Sequence, residues 1–111
     1  MSKPIPAGCE RVRGLTLLPD QEALRLASVS KALSDPVRVQ IVHLLEQHPD
    51  LCNCEFEEIL ELTQSKISYH LKVLLDANLI TRRPSGTWSH YSLIKTELLA
   101  RLRALDTTPR P

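Results

Sequence analysis

The chain reads as one mainly α-helical domain carrying a small β-hairpin, in the order of a winged helix-turn-helix. Three observations lead there. Segments with apolar residues at helical spacing fill most of residues 20–77. Two stretches rich in Ile, Thr, Trp and Tyr follow, over Leu79–Arg83 and Thr87–Leu93, with the turn formers Pro84, Ser85 and Gly86 between them. A last amphipathic segment over Lys95–Leu105, with Leu98, Leu102 and Leu105 in line, brings the expectation to about five helices plus a wing.

Each element has a local cause. Residues 1–18 hold Pro4, Pro6, Gly8 and Gly14 and are read as a flexible arm, residues 19–105 as the domain, and residues 106–111 as a disordered tail. Asp20 follows Pro19 and is expected to cap a helix over 20–33, where Ala23, Leu26, Ala27, Val29 and Leu33 recur near a 3.6 period. Asp35-Pro36 restarts the chain, with Asp35 as cap and Pro36 at the first helical position, where a missing N–H costs nothing. The helix that follows turns Val37, Ile41, Leu44 and Leu45 to one side and ends near His48-Pro49. A short third helix begins around Asn53 or Cys54, with Phe56, Ile59 and Leu60 inward. Thr63 caps a fourth over 64–77, and Asn78 stands where a left-handed residue should end it.

Composition bounds the possibilities further. With 42% apolar residues the chain can bury a core, and with only 4% aromatics that core must be aliphatic. No apolar run approaches the roughly 18 residues of a membrane span, and the first residues hold no apolar leader. No membrane partner and a cytoplasmic location are therefore expected. The three cysteines are odd in number, and Cys52 and Cys54 are one residue apart. This disfavours a disulfide framework and favours metal or redox chemistry. An enzyme is not expected, because there is no Gly-rich anion loop and no strand-helix alternation.

The net charge of +1 hides an asymmetry. Residues 50–62 carry Asp50, Glu55, Glu57, Glu58 and Glu61 with no base; residues 63–93 carry Lys66, Lys72, Arg82 and Arg83 against Asp76 alone. The basic stretch is a candidate phosphate-binding face. Its helix divides its labour: Ile67, Leu71, Leu74 and Leu75 make a buried stripe, while Gln64, Ser65, Lys66, Ser68, Tyr69 and Lys72 lie outside it. Gln and Lys read base edges in a major groove; Ser, Tyr and the helix N-terminus bond phosphates. Arg82 and Arg83, on the hairpin, would touch the adjacent groove or backbone. His70, on the flank of this helix, is read as a packing or phosphate-side residue and kept among the DNA-facing candidates. His90 and Trp88 are read as packing residues of the hairpin, and His43 as a surface or interface histidine.

Several motifs resemble one family. Lys31 through Arg38 (Lys-Ala-Leu-Ser-Asp-Pro-Val-Arg), Ser65 through Leu74 (Ser-Lys-Ile-Ser-Tyr-His-Leu-Lys-Val-Leu) and Ala77-Asn78-Leu79-Ile80 are similar to the ArsR/SmtB metalloregulators. The resemblance covers roughly residues 20–105. It implies a homodimer joined through the first and last helices, binding a double-stranded inverted-repeat operator and releasing it when metal binds. Asn78 stands where the family usually has Gly and can adopt the same backbone.

Asp50-Leu51-Cys52-Asn53-Cys54-Glu55-Phe56 resembles the Glu-Leu-Cys-Val-Cys-Asp-Leu motif of the family's arsenic- and cadmium/lead-sensing members, which implies metal ligation by Cys52 and Cys54. Asn53, in place of the middle Val, is expected to sharpen the helix start as an N-cap. Two residues apart means about 200° around a helix and about 180° along a strand, so in either regular structure the sulfurs would point apart. A bent first turn is needed to grip one ion, and the helix N-terminus should acidify both thiols. Cys9, on the arm, is the third-ligand candidate. Three thiolates suit pyramidal As(III) or Sb(III), and also Pb(II); a closed Cd(II) or Zn(II) site wants four donors, which His48 or Asp50 could complete. Cadmium/lead sensors of the family usually carry two arm cysteines where this chain has one, which favours As(III) over Cd(II) or Pb(II). The family's zinc site near the end of the last helix is absent, since residues 94–106 contain no His. A thiol redox-sensing repressor on the same scaffold is the rival reading.

Overall fold

A computed structural model of the chain describes residues 10–95 and 100. Residues 1–9, 96–99 and 101–111 lie outside the described residues, and with them Cys9, most of the expected last helix and the expected tail. The described elements are a 3-10 turn at Glu10–Val12, helices α1 (Asp20–Ala32), α2 (Pro36–Gln47), α3 (Asn53–Leu60) and α4 (Gln64–Asp76), and strands β1 (Leu51–Cys52), β2 (Ile80–Ser85) and β3 (Trp88–Leu93).

The caps explain most helix boundaries. Asp35 is extended, and its Oδ1 accepts from Val37 N–H at 2.8 Å, with Pro36 in the first turn. Thr63 Oγ1 accepts from Lys66 N–H at 3.3 Å. After α4 the chain turns through Asn78 at φ +58°, letting Leu79 N–H reach back to the Leu74 carbonyl at 3.0 Å. Asp20 behaves differently from expectation. It is the first residue of α1 and makes no side-chain cap; Pro19 holds the cap position, and the Asp20 charge complements the helix N-terminus instead.

The core forms where α2, α3, α4 and the sheet meet. Ile41, Phe56, Ile67 and Leu74 are fully buried, and Val29 and Ala32 bring α1 onto the cluster. Ile59, expected inward, is exposed; Phe56 and the half-buried Leu60 carry the inner face of α3 alone. Much of the apolar surface at the start of the domain is uncovered: Leu15, Leu17, Leu18 and Leu24 are all exposed. Arg38 is the one buried charged residue among those described. Its Nε donates to the Ala32 carbonyl and its Nη1 meets His70 Nδ1 at 3.1 Å, so α1, α2 and α4 are pinned at one point.

The hairpin differs in two ways from the sequence reading. Pro84 and Ser85 belong to β2, paired with Ser89 and Trp88, and the turn is the two residues Gly86-Thr87. Gly86 has φ +61°, the sign a two-residue II′ turn needs at its first position. Pro84 is tolerated because the strand order is β1-β3-β2, which leaves β2 on the edge. The second difference is β1, which sequence periodicity does not reveal. It pairs antiparallel with β3 in the register Leu51↔Tyr91 and Cys52↔His90. The wing is therefore a three-stranded sheet whose third strand contains a cysteine.

Candidate metal centre and nucleic-acid interface

Cys52 ends β1 and also stands at the N-cap of α3, with φ −88° and ψ 160°. Cys54 is the second residue of the helix. The chain passes from extended to helical between them, so neither regular-structure rotation applies, and the neighbouring Cys54 side chain raises the Cys52 pKa. The bend that metal ligation was expected to impose is already present in the corner. Cys52 is 7% exposed and Cys54 half-buried.

Glu55 builds this corner. Its carboxylate accepts from Cys52 N–H at 2.9 Å, while its own N–H is directed at the Cys52 side chain, making a capping box in which sulfur replaces a hydroxyl. Asn53, expected as the cap, is the first helical residue; its Oδ1 accepts from Ser89 N–H on β3 at 3.4 Å. The Glu55 carboxyl is held below its ordinary value, first by the bond from Cys52 N–H.

The expected acidification fails at Cys52. Burial and the contact with Cys54 push its thiol from 9.0 up to about 11, outweighing the lowering by Glu55 N–H at the helix start.

The donors divide sharply. His48 Nδ1 is hydrogen-bonded to the Asp50 carbonyl at 2.6 Å, and Asp50 Oδ2 accepts from Arg83 Nη2 at 3.2 Å, so both expected fourth donors are engaged elsewhere. Among the described residues no group of three or more His, Cys, Asp or Glu side chains is placed to hold a metal ion. What the described residues offer is a two-sulfur pincer, a donor set that suits a soft thiophile and needs a third ligand. Cys9 is outside the described residues.

The pincer borders the wing. Across the sheet, Cys52, His90 and Arg83 stand in one row, so their side chains share a face. His90 Nδ1 is buried without a hydrogen-bond partner, 3.6 Å from Asp50 Oδ2. These links run between residues more than thirty positions apart, and no sequence motif announces them.

On α4, Gln64, Ser65, Lys66, Ser68, Tyr69 and Lys72 are all exposed, while Ile67, Leu71 and Leu74 are buried beneath them. Lys72 reaches Asp76 at 3.4 Å, a solvated pair that costs little to break. His70 is half-buried, turned toward Arg38, with its ring edge-to-face against Tyr69 at 5.2 Å. It holds the helix in place and steadies Tyr69. Arg82 and Arg83 are exposed on β2, and Arg82 Nε donates to Ser89 Oγ at 3.0 Å. Trp88, at the tip of the hairpin, is 51% exposed and only partly a packing residue. His43 lies exposed on α2.

Known proteins share this arrangement. Residues 35–82 match the family of bacterial regulatory proteins described as the arsR family. The arsenical resistance operon repressor of Bacillus subtilis is 54% identical over 68 residues, 61% of this chain and 65% of that one, so just under two thirds of that relative is spanned. The arsenical resistance operon repressor of Staphylococcus aureus is 33% identical over 86 residues, 75% of this chain and 82% of its own. Among solved structures, a homodimeric winged helix-turn-helix DNA-binding domain from Mycobacterium bovis superposes with a TM-score of 0.64 at 28% identity, covering 82% of this chain and 85% of that one. No helix of the described residues is long and apolar enough to cross a membrane. With its helix-turn-helix, wing and matched segment in register, the chain belongs to the ArsR family of transcriptional regulators.

Proposed function

We propose that this protein is a repressor that binds an inverted-repeat operator as a homodimer and is released when As(III) or Sb(III) is bound by Cys9, Cys52 and Cys54. The observation that carries the reading is the pair of cysteines at the strand-to-helix corner, Cys52 at the cap and Cys54 in the first turn of α3. The relatives named as arsenical resistance repressors support the inducer. The Mycobacterium domain and the uncovered leucines around the start of α1 support the dimer. Gln64, Ser65, Lys66, Ser68, Tyr69 and Lys72, with Arg82 and Arg83, make the DNA-facing set; His70 belongs with it as the residue that positions Tyr69.

The single arm cysteine, where cadmium/lead sensors of the family usually carry two, favours As(III) over Cd(II) or Pb(II). As(OH)3 exchanges each As–O bond for an As–S bond, and the thiol proton leaves with the hydroxide as water. No prior ionisation is needed and no electron moves. Under full reduction, arsenite is expected to release the protein from its operator, and Cys52→Ser or Cys54→Ser to keep it bound. X-ray absorption should find about three sulfur neighbours around arsenic. Release by peroxide but not by arsenite would transfer the case to thiol oxidation.

Cys9 is proposed to reach the Cys52–Cys54 pair of the other subunit, giving two symmetric sites per dimer. An arm of about ten residues can extend to about 30 Å. A mixed dimer, one chain lacking Cys9 and the other lacking Cys52 and Cys54, keeps one complete site if ligation crosses the interface and none if it stays within a chain. Absence of three-sulfur binding in that isolated mixed dimer would rule out the crossed arrangement.

A further inference from the structure

We infer that the sensing corner holds both wing arginines, so that thiol occupancy acts on DNA through the wing as well as through α4, with Asp50 and Asn53 as the positioning residues. This rests on the inducer reading above. Two tethers leave the segment that contains the cysteines. Asp50 Oδ2 accepts from Arg83 Nη2 at 3.2 Å, with His90 Nδ1 at 3.6 Å beside it. Asn53, between the two cysteines, accepts from Ser89 N–H at 3.4 Å, and Ser89 Oγ accepts from Arg82 Nε at 3.0 Å. The backbone adds a third link, because Cys52 pairs with His90 and His90 with Arg83 across adjacent strands.

Each tether is solvated and weak alone. Together they decide where two long, flexible cations point on a strand that lies at the edge of the sheet. Before ligand arrives, the Cys52 thiol contacts Cys54 and receives the Glu55 N–H. Bonding both sulfurs to one arsenic, with a third sulfur drawn in, replaces the thiol contact and weakens the cap on α3. The corner must then re-aim, and Asp50 and Asn53 flank it on either side. Arg82 and Arg83 lose their bearing on the duplex without any change in α4.

The chain contains one tryptophan, Trp88, next to Ser89 at the tip of this wing, so the movement has an intrinsic reporter. The experiment uses the reduced full chain, sodium arsenite, and an operator duplex selected from a random library. For the unaltered protein, arsenite should change Trp88 emission and acrylamide quenching without DNA, and lower operator affinity by about 5–150-fold. The double variant Asp50→Ala/Asn53→Ala should take up arsenic with the same sulfur coordination by X-ray absorption. Its Trp88 response should vanish, and the arsenite effect on DNA should shrink at least threefold. Asp50→Glu/Asn53→Asp, which keeps both acceptors, should restore both responses; a merely structural role would not separate the two pairs. Equal arsenic uptake with the full Trp88 and DNA responses in the double variant overturns the inference.

A ligand-free arm separates this failure from that of the inducer reading. Without arsenite, the double variant should lose about 5–10-fold in affinity for operator and random duplex alike, with a flatter salt dependence, because its arginines are no longer aimed. If arsenic never binds sulfur, the inducer reading falls by itself, and unchanged affinities and salt dependence with unchanged Trp88 quenching then overturn the tether too.

Discussion

Phe56→Ala is expected to lower the free energy of unfolding by about 3–5 kcal/mol. The ring is fully buried on the inner face of α3 and lies edge-to-face with Tyr91, centroids 6.4 Å apart at 63°. Truncation leaves a cavity and removes an aromatic pair worth about 0.5–1.5 kcal/mol beyond its area. A domain of this size has only about 5–15 kcal/mol to lose. The effect should reach the Cys52–Cys54 corner, because Tyr91 pairs with Leu51 and Phe56 follows Cys54 by two residues, so the two rings brace that corner from β3 and α3. Urea unfolding followed by circular dichroism, at one fixed protein concentration so that any self-association is held constant, measures it. A loss below about 1 kcal/mol would mean that the space refills and that Phe56 does not hold the corner.

Gln64→Ala and Lys66→Ala are each expected to weaken operator binding by about 1–3 kcal/mol, near 5–150-fold, with fold and dimer intact. Both side chains are exposed in the first turn of α4, outside the buried Ile67, Leu71 and Leu74, and alanine is a good helix former. Thr63 still caps the helix, because its partner is the Lys66 backbone N–H. Arg82→Ala should instead weaken binding to every sequence and flatten the salt dependence. Affinities for operator and random duplex, measured at several salt concentrations, distinguish the two classes. If Gln64→Ala lowers both affinities equally, the assignment of base readout to the first turn of α4 is wrong.

Local chemistry makes much of this protein legible in one dimension. The caps at Asp35 and Thr63 and the left-handed Asn78 act over three or four residues, so residue type and spacing are enough to place them. The same holds for the leucine stripe of α4 and its polar opposite face, since a period of 3.6 sorts them whatever they pack against. Where a local rule had two candidates it chose less well. Asp20 and Asn53 are both good cap residues, yet each sits one position inside its helix, because Pro19 and Cys52 already hold the extended backbone that a cap requires. The hairpin turn was displaced by two residues because Pro84 reads as a breaker, and only its place on an edge strand makes it acceptable there.

The sequence by itself determined the order of the four described helices and the hairpin, the exposed polar face of α4, and the two cysteines at the start of α3. Only tertiary structure decided how those cysteines stand and what they touch. β1 is two residues long and exists because β3 pairs with it; a strand so short carries no periodicity. Asp50 meets Arg83 across 33 residues, Asn53 meets Ser89 across 36, and Arg38 meets His70 across 32. The Cys52 thiol is pushed up, not down, because burial opposes its charge more strongly than the helix N-terminus favours it. Capping and periodicity depend on neighbours a few residues away. Burial and long-range hydrogen bonds depend on whichever part of the chain folds over a group, and spacing along the chain does not encode that.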